Sequence, residues 1–159
     1  MSRAMVATLL LGVVALAFAC ATPAENRREG LVKSAREYND GLRWRRYQDV
    51  TPHLAADEAQ AFLVRAGALG DDFQMADQEV SSIRFENDGL RAAVTVQFTW
   101  YSQRRGLVRS TVVSQDWRYG EGRWLCAAQR RLSGDRFPLV PEPLAAAVSA
   151  PPSPRAPSP

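Results

Sequence analysis

The segment LRAAVTVQFTWY, Leu90 to Tyr101, alternates residue by residue. Val94, Val96, Phe98 and Trp100 fall on one face, and Thr95, Gln97, Thr99 and Tyr101 on the other. That period of two describes a strand with one dry and one wet face. Such a strand needs neighbours along its edges and a layer over its apolar face. The neighbours lie next to it in the chain. Upstream, Glu79 to Glu86 alternates with Ile83 and Phe85 together, and Asn87–Asp88–Gly89 is a strong hairpin signal. Downstream, a turn around Arg104–Gly106 leads into LVRSTVVSQDWRY, and Gly120–Glu121–Gly122 leads into RWLCAAQRR. Two-residue turns at those corners place Val113, Gln115 and Trp117, then Trp124, Cys126 and Ala128, on the Trp100 face. A slip of one residue would reverse a face.

The covering layer is expected before the strands, where the period is near 3.6. EGLVKSAREYNDGLRWRRY sets Leu31, Ala35, Tyr38 and Leu42 on one helical stripe with charges opposite. Gly41 weakens that helix by ~1 kcal/mol relative to Ala, so tertiary packing must hold it. Thr51–Pro52 reads as a start signal for a second helix. This helix runs to about Leu69, with Ala59, Phe62, Leu63 and Ala66 on one side and Gly70 to close it. Helices followed by a four-stranded antiparallel meander make an α+β domain with its helices on one face of the sheet.

The chain begins with Arg3 and an apolar run from Met5 to Ala19. The run is short of the ~20 residues that span a bilayer, and it ends in a small residue, as a signal peptide does. Ala17-Phe18-Ala19-Cys20 resembles the lipobox of bacterial lipoproteins, with Ala17 where that pattern prefers Leu. The resemblance implies removal of residues 1–19, a diacylglyceryl group on the Cys20 sulfur and acylation of the new amine. The other readings of the same segment are an ordinary secretory signal cut after Ala19 and, third, an uncleaved transmembrane anchor. One acyl chain holds a protein to a membrane only marginally, whereas two or more hold it stably. Ala21, where inner-membrane lipoproteins carry Asp, resembles the outer-membrane class facing the periplasm. The expected organisation is a signal peptide over 1–19, a linker over 20–27, an α+β domain over 28–137 and a Pro/Ala-rich tail over 138–159. Seven of the ten prolines follow residue 140, a composition that favours a disordered or polyproline II tail.

The chain carries 20 basic and 17 acidic residues, a net charge of +3, and loses one positive charge with Arg3. No nucleic-acid partner is expected from that balance. The two cysteines are Cys20 and Cys126. A thioether at Cys20 leaves Cys126 without an intramolecular partner, as a small buried hydrophobe. Without lipidation a Cys20–Cys126 bridge is the alternative, and it would tie a flexible tail to a strand. No CxxC and no His/Cys cluster is present, and no metal or cofactor is expected.

REYNDGLRW on the first helix and VSQDWRYGEGRW across the last hairpin resemble the nuclear transport factor 2-like superfamily, which includes ketosteroid isomerase and SnoaL-type cyclases. The resemblance covers roughly residues 28–132. It implies a cone in which a curved sheet wraps a long helix and leaves a pocket at the open end. Tyr38, Trp100, Gln115, Trp117 and Trp124 are the candidates to line such a pocket, against a reading in which the tryptophans form core. Members of the superfamily include enzymes, ligand binders and interaction modules, so the fold does not decide the role.

An enzyme of this kind needs a carboxylate base and an oxyanion donor aimed inward. The expected concave face carries Arg109, Thr111, Gln115 and Cys126, and no acid on the last three strands; Asp116 alternates outward. Asp40 and Glu79 read as solvated, and the single histidine, His53, has no nucleophile or second histidine beside it. No catalytic residue is therefore assigned. Gln115 is costly to bury unpaired: it either hydrogen-bonds within the sheet or faces a pocket, and replacement by Leu is expected to be mild. The basic runs Arg43–Arg46 and Gln103–Arg105 read as solvated surface. The expected role is a lipid-anchored, non-catalytic module that binds an envelope protein or a small apolar ligand. A small-molecule pocket enzyme is the alternative.

Overall fold

A computed structural model describes residues 22–86 and 88–142. Residues 1–21 (the expected signal segment and Cys20 among them), Asn87 and residues 143–159 lie outside the described residues. The fold is α+β. Helix α1 (Pro23–Arg43), a short helix α2 (Tyr47–Val50), a 3-10 turn over Thr51–His53 and helix α3 (Ala56–Ala68) precede four strands. These are β1 (Phe73–Phe85), β2 (Arg91–Ser102), β3 (Val108–Gly120) and β4 (Arg123–Gly134), antiparallel in the order β1-β2-β3-β4.

α1 starts inside the segment expected to be a linker. Thr22 and Glu25 form a reciprocal capping box, with Pro23 in the first turn, which satisfies helix-end amides that would otherwise lack partners. The stripe Leu31, Ala35, Tyr38 and Leu42 is buried as expected, and Asn39 is buried with it. Gly41 is explained by a close approach: a Cβ there would lie 2.7 Å from Val50 Cγ2. The helix expected from Thr51 begins instead at Ala56. Thr51 donates its hydroxyl to the Gln48 carbonyl at 2.9 Å rather than capping a helix. Thr–Pro can open a 3-10 turn as readily as an α-helix, because proline fixes φ in both.

The sheet registers match the expected faces on β2 and β3. Val94 pairs with Gln115 and Val96 with Val113, and all four are fully buried. Between β3 and β4, Glu121 (φ 51) and Gly122 (φ 78) form the two-residue turn; positive φ at both positions suits the twist of a hairpin. β1 begins at Phe73, six positions before the expected Glu79, and breaks register between Met75 and Asp77 and between Val80 and Ser82. Two bulges erase the alternation by which a strand is recognised. β3 and β4 break register twice, between Val112 and Val113 and between Asp116 and Trp117, and the second break leaves Ala127 unpaired on β4. It turns Ala128 outward, contrary to its expected face, and brings Gln129 in to donate to Tyr38 Oη at 2.7 Å.

α1 is tied to both outer strands. Arg43 binds the Ala76 carbonyl (3.0 Å) and the Asp77 carboxylate (2.9 Å) on β1, and Trp124 on β4 donates to the Arg27 carbonyl at 2.8 Å. A helix held by both edges sits in a sheet that curves around it. The far end of the core is closed by the chain after β4. Phe137 stacks on Phe98 with centroids 4.7 Å apart, and Leu139 and Val140 are buried. The packed domain therefore extends past the expected boundary at 137, because Pro138 interrupts an apolar Phe-Pro-Leu-Val run rather than opening a tail.

Candidate binding site

The five residues expected to line one pocket fall into three places. Tyr38, Gln115 and Trp117 form the interior. Each is at most 1 % exposed, and the Tyr38 and Trp117 rings meet edge to face at 5.7 Å. Gln115 Nε2 donates to Asn39 Oδ1 at 2.8 Å. Asn39 Nδ2 donates to the Ala35 carbonyl at 2.8 Å and to Gln115 Oε1 at 3.4 Å, and Trp117 Nε1 donates to the same oxygen at 3.3 Å. Asn39 was missed in the sequence. Its one available signal is the i+4 row Leu31, Ala35, Asn39, which runs beside the apolar stripe.

Among the described residues no carboxylate hydrogen-bonds to Tyr38, Asn39, Gln115 or Trp117. Glu58, whose charge acts on Tyr38 and Cys126, is paired with Arg65. Asp40 accepts from Gln78 on β1 at 3.3 Å, Glu79 is exposed and Asp116 lies on the outer face. Burial pushes the Tyr38 hydroxyl well above its ordinary value, with the neighbouring Cys126 sulfur adding to the shift. The Cys126 thiol is itself pushed up by burial, then by the Asp116 charge. Neither group ionises near neutral pH. His53 packs against the Tyr38 and Trp117 rings at 6.4 and 6.3 Å. Burial lowers its pKa while Glu37, at 3.7 Å, pulls the other way.

Trp100 lies at the end of the sheet, on a surface recess of about 360 Å³ whose walls include Leu69, Phe73, Tyr101, Arg105, Arg109 and Pro138. α3 delivers Leu69, and the chain after β4 delivers Pro138. Trp100 Nε1 donates to Thr111 Oγ1 at 3.0 Å, and Thr111 Oγ1 donates to the Asp135 carbonyl at 2.8 Å. Arg109 stands 5.5 Å above the Trp100 ring and pairs with Asp135 at 2.9 Å. The carboxyl of Asp72 is held below the usual range, first by the Arg104 N–H (2.8 Å) and then by the Ser102 hydroxyl (2.7 Å). An acid so engaged makes a poor base. The recess offers an aromatic floor, with Arg105, the Asp135-paired Arg109 and the ionised Asp72 around it.

Trp124 belongs to neither place. It sits between α1 and the β3–β4 hairpin, with its indole on the Arg27 carbonyl. Among the described residues, no group of three or more His, Cys, Asp or Glu side chains is placed to hold a metal ion.

No family model matches the chain, and no curated protein matches it. Among solved structures, the chain is similar to the intermembrane-space region of the chloroplast protein ARC6. The two are 17 % identical, the match covers 69 % of this chain and 94 % of that one, and the TM-score is 0.40. A likeness that distant does not bear on role.

Proposed function

We propose that the protein is an exported lipoprotein, held to the membrane through Cys20, whose domain binds without catalysing. We place the domain with the nuclear transport factor 2-like folds, a reading supported by the long helix carrying REYNDGLRW held within a four-stranded sheet. The observation that carries the non-catalytic reading is the filled interior. The volume in which an isomerase-like enzyme would seat its substrate is occupied by Tyr38, Trp117 and the Asn39–Gln115 pair. What the surface offers is the Trp100 recess, with Arg105 and Arg109 at its rim, for an envelope protein or a small ring-bearing ligand. Among the described residues no helix is long and apolar enough to cross a membrane; the anchor reading rests on the LAFAC segment of the sequence.

Labelling cells with a clickable palmitate tests the anchor. Wild type should take up label and Cys20→Ala should not. Equal label on both would remove the lipobox reading and leave a cleaved secretory signal.

A further inference from the structure

Between α1 and the β3–β4 hairpin lies a second groove, of about 440 Å³, which the Trp100 recess does not share. Arg27 and Lys33 of α1 and Arg123 of β4 line it, with Asn26, Tyr119 and Trp124. Glu37 is the one acid on its wall, and it faces Lys33 at 3.9 Å and His53 at 3.7 Å. The nearby Glu25 is turned back on its own helix cap, accepting from Thr22 N at 2.7 Å. Arg27 and Arg123 have no carboxylate within ion-pair distance among the described residues. Arg27 Nε is buried and has no hydrogen-bond partner. With Nε fixed inside, a ligand in the groove would meet the rest of the guanidinium, whose planar form fits the paired oxygens of a phosphate.

The position of the groove names the occupant. Cys20 precedes Thr22, the N-cap of α1, by two residues, and two residues reach at most about 7 Å. A lipid on Cys20 would hold the first turn of α1 at the membrane surface, with the groove at headgroup level. We infer that this groove binds the headgroup of an anionic phospholipid in the membrane that carries the anchor, and that it fixes which end of the domain faces the bilayer. The inference rests on the anchor reading for its geometry. The Trp100 recess, at the opposite ends of β2 and β3, would then face away from the membrane.

The full chain can be bound to vesicles of phosphatidylcholine alone or mixed with phosphatidylglycerol. In the unprocessed chain, with residues 1–19 retained, the apolar run Met5–Ala19 should hold it to either vesicle without acylation of Cys20, so a failed palmitate label and a failed headgroup site are separate results. Amide hydrogen exchange is then read over residues 23–34 and 118–124, with residues 103–109 as the distant control. Phosphatidylglycerol should slow exchange at the first two segments by about fivefold or more, as cations near an anionic surface imply, and leave the control unchanged. The Arg27→Gln/Arg123→Gln pair should remove the difference. Protection that is absent, that survives the double substitution, or that inorganic phosphate reproduces on phosphatidylcholine vesicles would overturn the inference; the last result would assign the groove to free phosphate.

Discussion

Gln115 of β3 and Asn39 of α1 hydrogen-bond each other in the centre of the fold, 2.8 Å from Gln115 Nε2 to Asn39 Oδ1, with neither side chain exposed. This pairing revises the expected mildness of Gln115→Leu. Leucine would leave Asn39 Oδ1 and Trp117 Nε1 without those partners, at about 1–3 kcal/mol for each unsatisfied group. Urea denaturation should show Gln115→Leu destabilised by a few kcal/mol. The Asn39→Leu/Gln115→Leu double variant should recover part of that loss, since both partners then become apolar. A neutral Gln115→Leu would mean that the pair is not formed.

Gly41→Ala should destabilise the protein even though alanine is the better helix former by ~1 kcal/mol. The added methyl would meet Val50 Cγ2 at 2.7 Å, and overpacking of this kind costs roughly 1–3 kcal/mol. Pairing it with Val50→Ala should relieve the clash, so the double variant should lose less than the two single losses combined. Denaturation midpoints of the four proteins decide it.

His53 sets an acid limb of stability. Its folded pKa lies below the ordinary value of 6.5 because of burial, with Glu37 opposing. The unfolded chain therefore binds the proton more readily. The contribution is complete above the ordinary pKa and is lost as the pH falls through it towards the folded value. Asp72 and Glu25, lowered from ordinary values near 4, act only in more acid solution. From about pH 7 to about pH 5 the thermal midpoint of wild type should fall more steeply than that of His53→Gln. Parallel slopes would show that His53 titrates as freely as in the unfolded chain.

A chain ending at Pro138 should be less stable than one ending at Glu142. It lacks Leu139 and Val140, which are 1 % and 3 % exposed. Losing a buried aliphatic side chain of that size costs about 2–5 kcal/mol. Calorimetry of the two chains should separate them by several degrees, and coincident midpoints would mean that the closing segment adds no packing.

What was legible in the sequence, and what was not, follows from periodicity. β2 alternates without interruption, so its inward set Val94, Val96, Phe98 and Trp100 could be read directly, and Leu31, Ala35, Tyr38 and Leu42 repeat cleanly on α1. β1 and the end of β4 carry bulges, which shift the parity of every later residue; Ala128 was placed inward and Gln129 overlooked for that reason. The candidate site was harder still. Trp100, Trp117 and Trp124 share a face in the expected register, yet position along the strand separates them into a recess, a core and a groove. Asn39 gave no signal of its own, because its use depends on Gln115, 76 residues away in the chain.

The filled interior is the central claim, and the indole N–H of Trp117 reports on it directly. Trp117 is 1 % exposed and its Nε1 donates to Gln115 Oε1 at 3.3 Å, whereas Trp44 is 64 % exposed. Hydrogen exchange of the two indoles, followed by NMR in the folded protein, compares a plugged core with open surface. Trp117 should exchange only when the domain opens, roughly a thousandfold or more slower than Trp44. Exchange within about tenfold of Trp44, with the fold intact, would place water beside Trp117 and contradict the account.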